Sequence, residues 1–189
     1  MSSHPVAERT EDADHTTLPA RLHHNAFVTR DQEATRAFYE NLIGMPLVAT
    51  WTEVEDLFGK ERTYCHTFYG LGDGSALAFF QFADPEDQTL FGPEMPRSPF
   101  SHIALKVTDA VQRGIEDRLR AEEWDPAETY VLDHGYCRSL YTRDPNGLLL
   151  EFTADAANVE ELNAVRLRTA REDLDRWLSG DHSPNNDVR

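Results

Sequence analysis

The sequence predicts an α+β domain made of two β-α-β-β-β units, with a helix added at the C-terminus. Two segments echo one another: His24-Asn-Ala-Phe-Val-Thr-Arg-Asp31 and His102-Ile-Ala-Leu-Lys-Val-Thr-Asp109. Each opens on a His, carries an Ala two residues on, and reaches an Asp where a helix should begin. A second echo follows in each half, Ala78-Phe-Phe-Gln81-Phe-Ala-Asp84 and Leu148-Leu-Leu-Glu151-Phe-Thr-Ala-Asp155. Self-similarity of this kind marks a repeated structural unit. Between the halves stand Pro85, Pro93, Pro96 and Pro99, which read as a linker over 85–99.

Residues 1–19 mix Ser, Thr, Asp, Glu and Pro without periodicity and read as a disordered tail. In the first unit, 20–84, a strand over 22–29 leads to a helix capped by Asp31. Its apolar stripe is Ala34, Phe38, Leu42 and Ile43. Gly44 and Pro46 end that helix. A strand over 46–51, a loop through Asp56, Gly59 and Lys60, and strands over 63–69 and 75–82 complete the unit. Gly70-Leu-Gly-Asp-Gly74 joins the last two strands as a hairpin turn. The second unit, 100–155, repeats the order. A strand over 102–107 is followed by a helix over 109–123 with Val111, Ile115 and Leu119 inward, then strands near 128–132, 137–142 and 148–153. Asp144-Pro-Asn-Gly147 is a turn, because Pro fixes φ and Asn and Gly accept the left-handed bend. Residues 156–189 hold a helix over 158–178 and a tail. Leu162, Val165, Leu174, Trp177 and Leu178 form the helix's sticky side, for its own domain or for a dimer contact.

Lys and Arg number 18 against 34 Asp and Glu, a net charge of −16 that repels phosphate backbones and argues against nucleic-acid binding. No apolar run is long enough for a membrane span, and no secretory pattern opens the chain, so a cytoplasmic protein is expected. Cys65 and Cys137 form no disulfide framework and read as reduced thiols.

Alternation along a strand puts residues of one parity on one face. His24, Gln81, His102 and Glu151 each sit in a strand beside large apolar neighbours: Phe80 and Phe82 around Gln81, Leu150 and Phe152 around Glu151. If those neighbours face the helices, the four polar groups share the opposite side. A buried carboxylate is costly unless paired or bound to a metal, which singles out Glu151. Two imidazoles and a carboxylate make the facial set that suits non-haem Fe(II). Adding Gln81 gives four ligands, better suited to Lewis-acid work by Zn or Ni. His23, next to His24, faces away and reads as structural.

Over about residues 20–155 the chain resembles the vicinal oxygen chelate superfamily of glyoxalase I, bleomycin-resistance proteins and type I extradiol dioxygenases. His134-Gly-Tyr-Cys-Arg-Ser-Leu-Tyr141-Thr-Arg-Asp144-Pro-Asn-Gly147-Leu-Leu-Leu-Glu151 is similar to the extradiol ring-cleavage signature. The resemblance implies a fold of paired units, with His24, His102 and Glu151 as iron ligands. His134 and Tyr141 then stand beside the bound diol and oxygen. The chain has one pair of units and so resembles the small members. It carries no sequence-matched acid/base His, and His66 is the candidate in the right region. The expected activity is ring cleavage of a catechol-like aromatic diol with O2 and Fe(II), with Zn, Ni or Mn as other metals, in a homodimer. The alternatives are a glyoxalase- or epimerase-like enzyme using Gln81 as fourth ligand, and a drug-binding resistance protein.

Overall fold

The computed structural model describes residues 19–186 and has the expected α+β architecture. The first unit comprises β1 (His24–Val28), α1 (Gln32–Arg36), which continues as π-helical turns over Ala37–Ile43, β2 (Leu47–Leu57), β3 (Lys60–Gly70) and β4 (Ala76–Phe82). After α2 (Pro85–Phe91), the second unit comprises β5 (Ile103–Lys106), α3 (Asp109–Ala121), β6 (Tyr130–Asp133), β7 (Cys137–Arg143) and β8 (Leu149–Asp155), and α4 (Val159–Leu178) follows. The sheets have equivalent orders, β1-β4-β3-β2 and β5-β8-β7-β6. In each, the first and last strands of the unit pair in parallel and the other pairs are antiparallel.

Local sequence explains the element ends. Asp31 accepts a hydrogen bond from the Ala34 N–H as N-cap, and Thr108, rather than Asp109, does the same for Val111. Gly44 closes the π-helical turns at φ 88°, a conformation that an L side chain resists. The expected linker contains α2, because Asp84 caps it and Pro85 fits the first turn, where its missing N–H costs nothing. β2 runs on to Leu57, so Asp56 and Lys60 belong to a long hairpin rather than a loop. The expected tail over 1–19 lies almost wholly outside the described residues.

One core joins the two units. Phe38, Tyr39, Leu42 and Ile43 meet Tyr69, Leu77 and Phe79 from one sheet and Leu105, Leu140, Leu150 and Phe152 from the other, with Ile115 and Leu119 of α3 between. In α3 the inward residue of the first turn is Gln112, while Val111 is exposed. The Gln112 amide donates to the Phe152 and Arg138 carbonyls, so a buried polar group is satisfied by the sheet it covers. Polar contacts tie the units as well. The Arg118 guanidinium donates to the Leu42 and Ile43 carbonyls at 2.6 and 3.0 Å. The Asp144 carboxylate accepts from Tyr39 Oη at 3.1 Å and from the Asn146 and Leu148 backbone N–H groups at 2.8 Å.

Strand parity then fixes what each sheet shows on its other side. Leu77, Phe79 and Tyr69 face the core, so His24, Ala78, Phe80, His66, Phe68 and Trp51 lie on the opposite face of the first sheet. Leu140, Leu150 and Phe152 face the core, so Glu151, Thr153, Tyr141 and Ser139 lie on the opposite face of the second. Both faces turn away from the shared core.

Candidate metal-binding and active site

The second sheet carries a connected polar cluster. Glu151 sits in β8 directly across from Tyr141 of β7 and beside Ala104 of β5. His102, just before β5, brings Nε2 to 2.9 Å from Glu151 Oε2. Glu151 is 7% exposed, so its carboxylate depends on these partners rather than on water. Tyr141 hydrogen-bonds Glu151, and His134 Nε2 lies 3.2 Å from Tyr141 Oη. Burial first, and then the Glu151 carboxylate, push the Tyr141 phenol up to about 12, so it is a proton donor at neutral pH. Tyr130 stacks on Tyr141 at 5.0 Å and Tyr136 on His134 at 5.9 Å, which restricts both rings. The sequence motifs gave neither Tyr130 nor Tyr136 a role; cross-strand register brings in Tyr130, and the turn between β6 and β7 brings in Tyr136.

The first sheet differs. His24 opens β1 with its ring edge-on to Phe68 at 5.7 Å, and its Nδ1 lies 2.8 Å from Nδ1 of His23, so His23 is a neighbour of this site. His66 stacks on Phe80 at 3.7 Å, lies 4.2 Å from Phe68, and is flanked by Trp51 at 6.0 Å. Its Nε2 is buried and finds no hydrogen-bond partner among the described residues. Burial pulls the His66 imidazole below its usual range, opposed by Glu53 and reinforced by His24.

Register corrects the expectation for Gln81. Glu151 pairs with the residue two beyond His102, whereas the residue two beyond His24 pairs with Ala78. Ala78 therefore occupies the position equivalent to Glu151. Gln81 stands three residues further on, has the parity of the core-facing Phe79, and donates to the Arg30 carbonyl at 2.8 Å. It was Phe80 and Phe82, expected against the helices, that share the face of His24. The two echoes match in residue type but not in pairing. By the same rule Phe68 is the counterpart of Tyr141, His66 of Ser139, and Phe80 of Thr153.

The chain thus brings together His102, Glu151, Tyr141 and His134, places His24 and His66 on the other sheet, and leaves Gln81 apart. Among the described residues no group of three or more His, Cys, Asp or Glu side chains is close enough to hold a metal ion.

Residues 21–152 match the family model of the Glyoxalase/Bleomycin resistance protein/Dioxygenase superfamily. The chain belongs to this superfamily. It is similar in fold to the glyoxylase/bleomycin resistance protein/dioxygenase domain from Frankia sp. EAN1pec, with 14% identity, a TM-score of 0.55, and 72% of this chain and 93% of that one covered. It is also similar to the fosfomycin resistance protein FosX from Listeria monocytogenes complexed with Mn(II) and sulfate, at 16% identity and TM-score 0.51, covering 76% and 98%. A single-residue mutant of that protein, complexed with Mn(II) and a dihydroxypropylphosphonic acid, gives 17% identity and a TM-score of 0.53 over 75% and 97%. No curated protein matches in sequence. The superfamily includes metal-dependent enzymes, dioxygenases and fosfomycin resistance proteins among them. No helix among the described residues is long and apolar enough to cross a membrane.

Proposed function

We propose that this protein is a ring-cleaving, extradiol-type dioxygenase for a catechol-like aromatic diol, using Fe(II) and O2. Its metal is held by His24, His102 and Glu151, the two-imidazole, one-carboxylate set that suits non-haem iron. The observation that carries the reading is the preformed cluster of His102 and Glu151 with Tyr141 and His134 beside them. His24 is on the other outward face, so one chain does not complete the set. Two copies related by a two-fold axis do, with His24 of one facing His102 and Glu151 of the other, twice over.

When bound, the metal supplies Lewis acidity and open coordination positions for both oxygens of a vicinal diol. The chain's own groups do the rest. Tyr141 stays protonated and offers its O–H to a carboxylate or substrate oxygen, while His134 on its far side can give or take a proton. Trp51, Phe68 and Phe80 line the facing wall with rings, and an uncharged aromatic ligand stacks on such a wall. Cations on these faces are engaged: Arg62 with Asp87, Lys106 with Asp155, and Arg143 with Glu128. That favours a neutral ring over a phosphonate. Ala78 in place of a second carboxylate, with Gln81 turned away, removes the support for a four-ligand glyoxalase-like site.

The test is metal analysis of the purified protein together with oxygen uptake on adding catechols. Iron with stoichiometric oxygen consumption is the expected result. Zn or Ni without oxygen uptake overturns the assignment, and Gln81→Ala should leave metal affinity within about twofold of wild type, since it holds only a backbone carbonyl.

A further inference from the structure

We infer that His23 is a positioning residue for His24: its Nδ1 accepts a hydrogen bond from the Nδ1–H of His24, which leaves the Nε2 lone pair of His24 free to ligate. This role rests on the ligand set proposed above. Strand alternation alone would send the two rings to opposite faces. His23, however, stands just before β1, which begins at His24, and the two rings meet. The His23 carbonyl accepts from the Ala76 N–H at 3.2 Å, which fastens its backbone to β4.

Three contacts fix where the His24 ring points. It meets Phe68 edge-on at 5.7 Å and His23 edge-on at 5.0 Å, and the two Nδ1 atoms are 2.8 Å apart. Among the described residues this is the only hydrogen bond of the His24 side chain. The first unit has no carboxylate to do the same. Ala78 stands where the second unit has Glu151, so His24 lacks the partner that His102 finds in Glu151 Oε2 at 2.9 Å. The residue before His102 is Ser101, so an adjoining imidazole belongs to the first unit alone.

The direction of the hydrogen bond follows from the imidazole ring. A neutral imidazole has one N–H and one lone-pair nitrogen, so two Nδ1 atoms in contact need one donor and one acceptor. If His24 accepted, its proton would sit on Nε2, and neither nitrogen would have a lone pair to offer a metal. If His24 donates, Nε2 is bare. Use of His24 as a ligand therefore requires His23 as the acceptor. A partner of this kind fixes the tautomer and the ring orientation of a ligating His, and it raises the basicity of the ligating nitrogen.

Two measurements on the full-length protein test this. Long-range 1H–15N correlation spectra report which ring nitrogen carries the proton, in protein stripped of metal with EDTA and held at about pH 8.5, well above the ordinary imidazole value of about 6.5. The His24 signals are those missing from His24→Ala. A proton on Nδ1 of His24 is expected in wild type, moving to Nε2 in His23→Phe, which keeps a ring but offers no acceptor. A proton on Nε2 of His24 in wild type overturns the inference. In parallel, anaerobic titration with Fe(II) compares the same chains with His23→Asn, whose side-chain oxygen replaces Nδ1 as acceptor. Affinity should fall about 10- to 100-fold in His23→Phe and stay within about threefold of wild type in His23→Asn. Wild-type affinity in His23→Phe beside a loss in His24→Ala overturns the role of His23 and leaves the ligand set standing. Wild-type affinity in His24→Ala overturns both.

Discussion

The two units place equivalent backbone positions under different side chains. On the face turned from the core, the second unit has Glu151, Tyr141, Ser139 and Thr153 where the first has Ala78, Phe68, His66 and Phe80. Only the His that opens each unit is common to both, His24 and His102. The second sheet is thus a polar cluster built around a carboxylate, and the first is a wall of rings with one imidazole at its edge. A repeat doubles the framework, but a metal set of three and a substrate need two different surfaces. Divergence of the copies provides them, and it does so without disturbing the core, because the substituted positions are those of the opposite parity.

The largest effect should come from removing the ligands on either side of that divide. Glu151→Ala, His102→Ala and His24→Ala are each expected to lose bound metal and all turnover while keeping the native far-UV circular dichroism. The division between copies gives a sharper form of this test. Co-expressed Glu151→Ala and His24→Ala chains form mixed dimers in which one of the two sites is whole. With random pairing, about a quarter of wild-type activity should return. No recovery on mixing, measured as metal content and rate, would place all three ligands in one chain.

Next in size is the polar cluster. Tyr141→Phe and His134→Ala should each lower turnover by about 10² to 10³ with metal content near normal, as expected for loss of a preorganised donor. Tyr141→Phe should be the milder, since its ring still stacks on Tyr130. The matching change in the other unit, Phe68→Ala, should weaken substrate binding, seen in KM, more than it slows kcat. Equal effects on kcat from both units would remove the distinction between wall and cluster.

The architecture was legible in the sequence because the units repeat His, helix cap and strand order, signals carried by residue type. Pairing register is not carried that way. Phe80-Gln81-Phe82 looks like Leu150-Glu151-Phe152, yet β4 and β8 sit three residues apart relative to the His that opens each unit, so Gln81 falls on the core-facing parity. Val111 and Gln112 exchanged places for a related reason. Apolarity suggested that Val111 is inside, but the buried slot faces the Phe152 and Arg138 carbonyls, to which the Gln112 amide donates. Asp144, read as part of a turn, also proves to be one of the polar contacts between units, through Tyr39.

That contact allows the comparison to be broken at its base. Burial raises the Asp144 carboxyl above its usual range, while the Asn146, Leu148 and Tyr39 donors pull it back. Asp144→Asn offers an N–H group toward donors that need an acceptor. Stability should fall by about 2 to 4 kcal/mol, through one repelled and one unpaired buried donor. Chemical denaturation should show a single transition in the variant as in wild type, because one core spans both units. Two separate transitions would mean that the units fold independently.

The smallest effect is expected at His66, the imidazole set within the aromatic wall. Burial lowers its pKa in the folded chain, and the unfolded value is about 6.5. The unfolded state therefore holds the proton more tightly than the folded one. Its contribution is fully present above the unfolded value and is lost as pH falls through that value toward the lower folded one. His66→Phe removes this acid-side loss and also removes the unpartnered Nε2 from between Phe68 and Phe80. The difference in unfolding free energy between His66→Phe and wild type should thus grow in favour of the variant as pH falls from 7 to 5. Carboxylates titrating in the same range act on both proteins alike, so the difference, and not either curve alone, reports His66. A pH-independent difference would mean that the imidazole gains a proton as readily in the folded chain as in the unfolded one. In that case the first sheet could no longer be described as an apolar wall with a neutral imidazole inside it.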